Sequence, residues 1–318
     1  MRGAPSSCPA PSPHDRPSMR TVRRPPCRSR AGGRSKHLPA RSPVRTYAAG
    51  ARSAQDRGES RTDRRRGGIA RRRPGLAPSG ACVCIEPEST RSRKARPLMK
   101  IGIIGAGNIG GNLTRRLSAL GHDVFVANSR GPQTLKELAG ETGATPVTVE
   151  EAARGAEVVV ITIPVKAVPS LPAGILDGAA DGVAVIDTNN YYPQQRDGRI
   201  AEIEDEGLTE SRWTERRIGH PVIKAFNGTY AQDILDRPLA AGDPDRIALP
   251  VAGDDEAAKA KVRALIDELG FDTVDAGGID DSWRQQPDTP VYGLRAGTEA
   301  VTRALAEATP ERPATFRG

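Results

Sequence analysis

The sequence predicts an α/β fold built on a doubly wound, mostly parallel sheet, and three observations carry that prediction. Apolar runs of strand length, beginning with Ile101-Gly102-Ile103-Ile104, alternate along the chain with helical patterns. The run from Glu157 to Ile163 lacks the alternation of a half-exposed strand, which is typical of a central parallel strand buried on both faces. A glycine-rich turn follows the first strand directly. We therefore expect one substantial α/β domain with a small C-terminal α/β appendage in residues 99–318.

Charge divides the chain into two unlike parts. Residues 1–98 hold 24 of the 47 Lys and Arg but only 6 of the 39 Asp and Glu, so this part carries +18 and residues 99–318 carry −10. The first part also holds 13 of the 27 prolines and all 4 cysteines. Such a composition cannot bury enough apolar surface to offset the chain entropy, so the sequence predicts a disordered basic tail over 1–98.

Three interpretations of this tail stay open. Its arginines could neutralise nucleic-acid phosphates, or it could be an organellar targeting leader. Met99 stands directly before the first strand, which favours a third interpretation, an upstream start codon chosen too early. The spacing of Cys82 and Cys84 does not fit a zinc site, so we expect no metal. No segment reaches the length of a membrane span, and we expect a cytoplasmic protein without membrane or nucleic-acid partners for the folded part.

The remaining elements follow in chain order. The first helix has an apolar stripe and stops at a glycine; the stripe is Ile109, Leu113, Leu117 and Leu120, followed by Gly121. Further strands are expected at 124–127, 145–149, 183–186, 222–226, 247–252 and 271–274, with helices near 135–139, 149–156, 256–269 and 297–308. A capping box, Thr148 with Glu151, opens the third helix. The polar stretch 191–219 interrupts the rhythm, and we expect a loop that serves as a lid or a substrate wall.

The glycine turn predicts a dinucleotide site. Gly105 lets the chain leave the first strand in a tight turn, Gly107 lets the backbone approach a pyrophosphate, and Gly110 lets the helix pack closely on the strand. The helix that begins near Asn108 and Ile109 offers free N–H groups and a positive dipole end to the phosphates. A purely structural glycine turn is the alternative. The context of strand, turn, helix and second strand favours the dinucleotide site and a Rossmann-like domain.

The end of the second strand decides between NAD and NADP. Eighteen residues after Gly110 come Asn128, Ser129 and Arg130, where an NAD enzyme would carry a carboxylate for the ribose diol. A hydroxyl and a planar guanidinium suit the 2′-phosphate of NADP(H) instead. The alternative is that these residues only begin a solvated loop.

Residues at the carboxyl ends of later strands complete the predicted site, because ligands of open parallel sheets lie outside those ends. The cofactor wall is expected at Ile163, Pro164, Val165 and Asn189, and the substrate pocket at Thr188, Asn190 and Asn227. These groups are uncharged, with no obvious acid or base. We expect structural roles for four titratable residues. His122 is expected in a surface turn, and His220 and Asp187 are expected as structural or capping groups. Lys224 is expected as a snorkelling strand residue.

The lack of an acid or base bears on mechanism. A dehydrogenase acting on an alcohol or carbonyl needs a proton donor or acceptor beside the hydride path. A flavin-like ring needs little such help, since its ring system absorbs the electrons. The residues thus favour hydride transfer to a flavin-like acceptor.

The order of the motifs resembles one enzyme family, the NADPH-dependent F420 reductases. The resemblance rests on the glycine turn, Ala127-Asn128-Ser129-Arg130, Ile163-Pro164, Asp187-Thr188-Asn189-Asn190 and Lys224-Ala225-Phe226-Asn227, and covers about residues 99–280. It implies hydride exchange between NADPH and the deazaflavin F420, with the 2′-phosphate on Ser129 and Arg130. Members often carry another basic residue soon after the Ser-Arg pair, whereas this chain has Gly131 to Thr134 there, with Thr134 expected to help hold the cofactor.

Two alternatives to this function remain open. Related imine-forming reductases append a long helical bundle, and the residues after the last strand supply only one short helix. A catalytically silent NADPH sensor is the other alternative. The expected partner is a small electron acceptor, and a homodimer is left open.

Overall fold

The structure is a computed structural model that describes residues 98–318. The predictions for the basic tail and its cysteines lie outside the described residues. The described part has the predicted α/β architecture. The bounds of several helices and strands differ from those expected from the sequence.

Six parallel strands form the main sheet in the order β3-β2-β1-β4-β5-β6. Their bounds are β1 Lys100–Ile104, β2 Asp123–Ala127, β3 Thr145–Pro146, β4 Val158–Ile161, β5 Ala184–Asp187 and β6 Ile223–Lys224. In register, Ile101 lies between Val124 of β2 and Val158 of β4. The strand order reverses at β1 and β4, so a crevice opens outside the carboxyl ends of these two strands.

The central strands are buried on both faces. Ile101 and Ile103 of β1 pack in one apolar cluster with Leu113 and Leu117 of the first helix, α1 Asn108–Ala119. Their neighbour Ile104 points to the opposite cluster, because side chains alternate along a strand. The unalternating sequence of β4 reflects the same two-sided burial, so the prediction for that strand is confirmed.

Helices and short strands end where backbone chemistry requires it. α2 spans Lys136–Thr142, and α3 spans Val149–Ala152 behind the capping box that was predicted at Thr148 and Glu151. α3 ends four residues earlier than expected, since Gly155 adopts a positive φ that turns the chain into β4. β3 is also shorter than expected, although the Val147 N–H still donates to the Val126 carbonyl of β2 at 3.0 Å.

The polar stretch 191–219 is not a loop as expected, whereas its role as a lid or a substrate wall stays a prediction. It contains α4 Ala201–Glu204 and α5 Glu210–Ile218, and it forms the crossover from β5 to β6. Trp213 and Tyr191 anchor it in an apolar cluster with Val165 and Val168. The Thr209 hydroxyl caps α5 by accepting from the Arg212 N–H at 3.1 Å.

The carboxyl-terminal part forms a small appendage. β7 Ala248–Val251 and β8 Asp272–Asp275 pair in their own two-stranded parallel sheet, in agreement with the small C-terminal extension expected from the sequence. Where the chain leaves β7 it meets β6 in the opposite direction: Lys224 and Ala252 pair in antiparallel fashion, with N···O distances of 2.8 and 3.1 Å. The helices of this part are α6 Asp233–Asp236, α7 Glu256–Leu269 and α8 Thr298–Glu307.

None of the helices between residues 98 and 318 has the length and apolar content needed to cross a bilayer.

Replacing Gly110 with alanine is expected to destabilise the fold. A Cβ at this position would lie 1.9 Å from the Gly105 carbonyl oxygen, so α1 would have to move away from β1. Overpacking of this severity costs about 3 kcal/mol or more. Denaturant unfolding of the full chain measures the loss.

Gly140→Ala is the matched control, because nothing lies within 4 Å of its added Cβ. It sits in the exposed face of α2 and should stabilise by about 0.5–1 kcal/mol. Equal stability of the two variants would contradict the close approach of α1 to β1.

Candidate functional site

A cleft of about 510 Å³ lies outside the carboxyl ends of β1, β2 and β4. Its floor is the turn from Gly105 to Gly107, one wall is the loop that follows β2, and the other wall contains Ile163 and Pro164. A second opening of about 630 Å³ continues on the other side of the same turn, lined by Asn108, Asn112 and Thr134. The turn therefore stands between two open spaces, in the position that an extended ligand would cross.

The three glycines of the turn have different physical roles. Gly105 has φ +114°, and an added Cβ would lie 2.2 Å from the Thr162 carbonyl oxygen, so only glycine fits. Gly110 is required by the close packing of α1. Gly107 is different, because nothing lies within 4 Å of its would-be Cβ. Packing of the protein leaves this position open toward the cleft, as a phosphate-binding turn requires.

The amino end of α1 has no side-chain cap, since Gly107 stands at the N-cap. Its first N–H groups are thus free to meet a ligand, and the helix dipole adds positive potential there. A 12-residue helix with an uncapped amino end beside an open glycine can hold a pyrophosphate.

The loop after β2 is shaped by Asn128. Its side chain accepts from the Arg130 N–H at 2.9 Å and donates to the Thr134 hydroxyl at 2.9 Å. These bonds leave Ser129 and Arg130 exposed at the mouth of the cleft. No carboxylate of residues 98–318 pairs with the Arg130 guanidinium, so its five donors are available to an anion.

The far end of the cleft is tied to β5 by Asn189. The Asn189 Oδ1 accepts from the Ile163 N–H at 3.2 Å, which fixes the cleft wall against the end of β5. The Asn189 Nδ2 is buried and has no hydrogen-bond partner among the described residues. A buried, unpaired donor is costly, so this amide is poised for an acceptor atom of a ligand.

Asn190 and Asn227 meet as predicted, and two tyrosines that the sequence reasoning missed join them. The Asn190 Nδ2 donates to the Asn227 carbonyl at 2.8 Å and approaches the Tyr292 hydroxyl at 3.4 Å. The Tyr192 and Tyr292 hydroxyls lie 2.5 Å apart. Phe226, directly before Asn227, is buried with φ +63°, a strained backbone that persists where the surroundings enforce it.

Two predicted site residues are placed away from the open space. The Thr188 hydroxyl donates to the Ile161 carbonyl at 3.3 Å within the sheet. The Val165 side chain is fully buried in the cluster around Tyr191 and Trp213. Ile109 lies half-buried against the core. The structure thus gives Thr188 and Val165 packing roles, and their predicted ligand contacts gain no support from side-chain geometry.

A buried group of charges lies under the rim. Lys224 and Glu210 are each 1% exposed and pair at 2.9 Å, so the prediction of a snorkelling Lys224 is wrong. The Lys224 ammonium also donates to the Asn189 carbonyl at 3.0 Å. Arg312 reaches the other Glu210 oxygen at 3.3 Å. Through Lys224, these charges hold the backbone of Asn189 in place.

Asp187 is fully buried at the end of β5. It accepts from the Ser211 hydroxyl at 2.6 Å and from the Asn189 N–H at 3.0 Å, which confirms its predicted capping role. Burial raises the pKa of the Asp187 carboxyl, although nearby Lys224 opposes that change. Asp187 therefore acts beneath the rim and not in the open cleft.

Neither histidine of the described part lies in the cleft. His122 is buried, contrary to the predicted surface position: its Nδ1 accepts from the Met99 N–H at 3.2 Å, and Glu268 lies 3.5 Å from its Nε2. His220 contacts only the Pro221 carbonyl at 2.7 Å. Residues 98–318 contain no cluster of ligands that could hold a metal ion.

Residues 100–191 match the model of a protein family described as NADP oxidoreductase coenzyme F420-dependent. The match covers the glycine turn, the loop after β2, Ile163-Pro164 and the end of β5, so it supports the resemblance noted from the motifs over this part of the chain.

Individual proteins are similar to parts of this chain. The hypothetical protein SMa0349 from Sinorhizobium meliloti has a similar structure, with 28% identity and a TM-score of 0.52 over 63% of this chain and 96% of that one. A protein from Arthrobacter sp. FB24, assigned as an F420-dependent NADP reductase, shares 26% identity over 57% of this chain and 86% of its own, with a TM-score of 0.46. YjhV of Escherichia coli K12 is 48% identical over 54 residues, 17% of this chain and 39% of YjhV.

Replacing Asp187 with asparagine is expected to change how stability depends on pH. An acid whose pKa is raised by folding stabilises the fold below its unfolded pKa, and that contribution is lost as pH rises through the folded pKa. The wild type should therefore lose stability relative to Asp187→Asn as pH rises above about 4. Urea unfolding of both proteins across this pH range measures the difference.

The opposite slope would show that Lys224 and Ser211 hold Asp187 ionised, against the effect of burial. Asp177→Asn serves as the control, because Asp177 lies in the turn before β5 and Asp187 lies at the other end of that strand. This variant should keep the pH dependence of the wild type.

Proposed function

We propose that this chain, with its domain of an NADP oxidoreductase family at 100–191, transfers hydride between NADPH and the deazaflavin F420 or a flavin-like acceptor. The observation that carries the proposal is the free guanidinium of Arg130 beside Ser129, at the end of β2 where the adenosine ribose of a dinucleotide would lie. The cofactor, its 2′-phosphate and the acceptor would each meet a different part of the site.

The cofactor would cross the glycine turn. The open Cβ position of Gly107 and the uncapped amino end of α1 fit a pyrophosphate. The cleft wall at Ile163 and Pro164 and the unpaired amide of Asn189 would then face the ribose and nicotinamide. NADPH, when bound, supplies the hydride.

The 2′-phosphate would lie between Ser129 and Arg130. A guanidinium binds phosphate with two parallel hydrogen bonds, and a hydroxyl adds a further donor. The side chains of Asn128 and Thr134 hold the loop in shape and are already bonded to each other, so we assign them a positioning role. Glu150 is the one carboxylate among the residues that line this cleft. The end of β2 has none that could accept hydrogen bonds from the ribose diol of NAD.

The acceptor would meet the nicotinamide at Asn190 and Asn227. This rim offers amide and hydroxyl groups and no free acid or base, which suits an aromatic ring that takes up the electron pair itself. The description of the matched family names F420, and this supports a deazaflavin over other ring systems.

Arg130→Ala should weaken the binding of NADPH about 10- to 100-fold, since it removes a charge-assisted contact to the phosphate. The binding of NADH should stay unchanged. Calorimetric titration of both dinucleotides measures the two affinities. Arg154→Ala is the control, because Arg154 is exposed just before β4, at the opposite end of the sheet, and should change neither. Equal losses for NADPH and NADH would remove the assigned phosphate site.

Gly107→Ala should weaken NADPH by about 10-fold or more without destabilising the fold. The added methyl group meets no protein atom, and φ at this position is −77°, which alanine adopts freely. It would occupy the space that the pyrophosphate needs. Titration and thermal unfolding report the two effects, and unchanged affinity would show that the cofactor does not cross the turn.

The hydride transfer itself is tested by mixing the full chain with NADPH and oxidised F420. Loss of the deazaflavin absorbance at the rate of NADPH oxidation is expected. NADPH binding without oxidation, with F420, FMN and FAD each tried, would overturn the reductase and favour the sensor.

A further inference from the structure

We propose that Tyr192 and Tyr292 form a donor pair that hydrogen-bonds the acceptor ring and delivers the proton that accompanies the hydride. This inference rests on the proposed function and deepens it. It names a second polar element of the site, and it limits the acceptor to rings with a nitrogen or carbonyl oxygen conjugated to the ring atom that receives the hydride.

The position of the pair follows from a chain of contacts that starts in the cleft. The Asn189 side chain holds the Ile163 backbone of the cleft wall, and Asn190 is the next residue. Asn190 reaches the Tyr292 hydroxyl at 3.4 Å and the Asn227 carbonyl at 2.8 Å. The pair is thus linked through Asn190 and Asn189 to the cleft wall, on the side of β5 where the nicotinamide is expected.

Counting protons shows that the pair has one donor to spare. Each hydroxyl carries one proton, and the 2.5 Å contact between them uses only one of the two. The amide of Asn190 donates toward Tyr292, so it takes up acceptor capacity and no proton. Whichever tyrosine donates within the pair, the other hydroxyl proton has no acceptor among the described residues. That proton is available to a ligand.

The surroundings keep the Tyr292 hydroxyl protonated. Burial is the main cause that raises the pKa of the Tyr292 phenol, and the hydrogen bond with Tyr192 adds to it. Tyr292 is therefore a donor at neutral pH and not a base. Arg196 stacks 5.1 Å from the Tyr192 ring and donates to the Asn190 carbonyl, which fixes both groups relative to each other.

The step balances with the groups named. The hydride would leave C4 of NADPH and form a bond at position 5 of the acceptor ring, a carbon in the deazaflavin and a nitrogen in FMN, so NADPH is oxidised to NADP⁺ and the ring is reduced. The electron pair that this bond displaces moves onto the conjugated nitrogen and carbonyl. A phenol O–H bond breaks, its proton goes to that nitrogen, and the phenolate takes a proton from water afterwards. The donor pair stabilises the charge as it forms.

The test compares the double variant Tyr192→Phe/Tyr292→Phe with the wild type as full-length chains. Single-turnover oxidation of NADPH by F420, and by FMN as a second probe, should slow about 100-fold. The affinity for NADPH should change less than about 2-fold, since neither hydroxyl contacts the cofactor cleft. Each single variant should lie between, because the remaining hydroxyl can still donate. Tyr230→Phe is the matched control, because this exposed tyrosine stands near Tyr292 without a hydrogen bond to either hydroxyl of the pair, and it should match the wild type.

Two further readouts separate proton delivery from a merely structural role. The wild-type rate should stay flat between about pH 6 and 8, whereas the rate of the double variant should rise as pH falls, since its proton must come from solution. Oxidised F420 should also bind the NADP⁺-loaded double variant about 10-fold more weakly than the wild type.

The outcomes are distinct. A double variant with the rate, pH profile and F420 affinity of the wild type overturns the donor pair and leaves the proposed hydride transfer standing. A wild type that binds F420 without reducing it overturns the hydride transfer, and the loss of F420 affinity in the double variant then still supports the pair. A wild type that binds neither F420 nor FMN overturns both.

Discussion

The close approach of α1 to the end of β1 is the constraint on which the rest of the structure depends. The helix lies very near the sheet. A Cβ added at Gly110 would overlap the Gly105 carbonyl and the side chain of Thr162, so no other residue fits there. This contact points the free amino end of α1 into the crevice between β1 and β4. The same backbone turn leaves Gly107 without neighbours. One packing requirement thus creates both the helix position and the space for a ligand beside it.

A second constraint acts from beneath the rim, where Lys224, Glu210 and Asp187 are buried together. Buried charges are costly unless they are paired and hydrogen-bonded, and here each has a partner. The pairing stabilises less than the burial of apolar groups would, so its benefit is positional. Lys224 fixes the Asn189 carbonyl, Asp187 fixes the Asn189 N–H, and Asn189 in turn fixes the cleft wall at Ile163. The backbone of Asn189 is thus held from both sides.

Local patterns predicted the elements that depend on local chemistry. The glycine turn, the stripe of α1, the capping box at Thr148 and the helix over 256–269 depend on residues within a few positions, and each was found. The crossover helices were missed because their few apolar residues, such as Ile203 and Trp213, are too sparse for a clear period. The burial of Lys224 was not predicted because its partner Glu210 lies on α5, in a stretch where a loop was expected. The tyrosine pair joins residues 100 positions apart, and no local pattern reports such a contact.

The chemistry of the rim explains why a search for an acid or base in the sequence found none. The charged groups near the carboxyl ends of β5 and β6 are all engaged in fixing backbone, so they cannot also exchange protons with a ligand at low cost. The rim itself then has to be built from neutral donors: amides at Asn189 and Asn190 and phenols at Tyr192 and Tyr292. Neutral donors stabilise negative charge that appears during a reaction without repelling an uncharged ring beforehand. A site of this kind favours an acceptor whose own ring system receives the electron pair, because it offers hydrogen bonds to the forming charge rather than a strong general acid to an alkoxide.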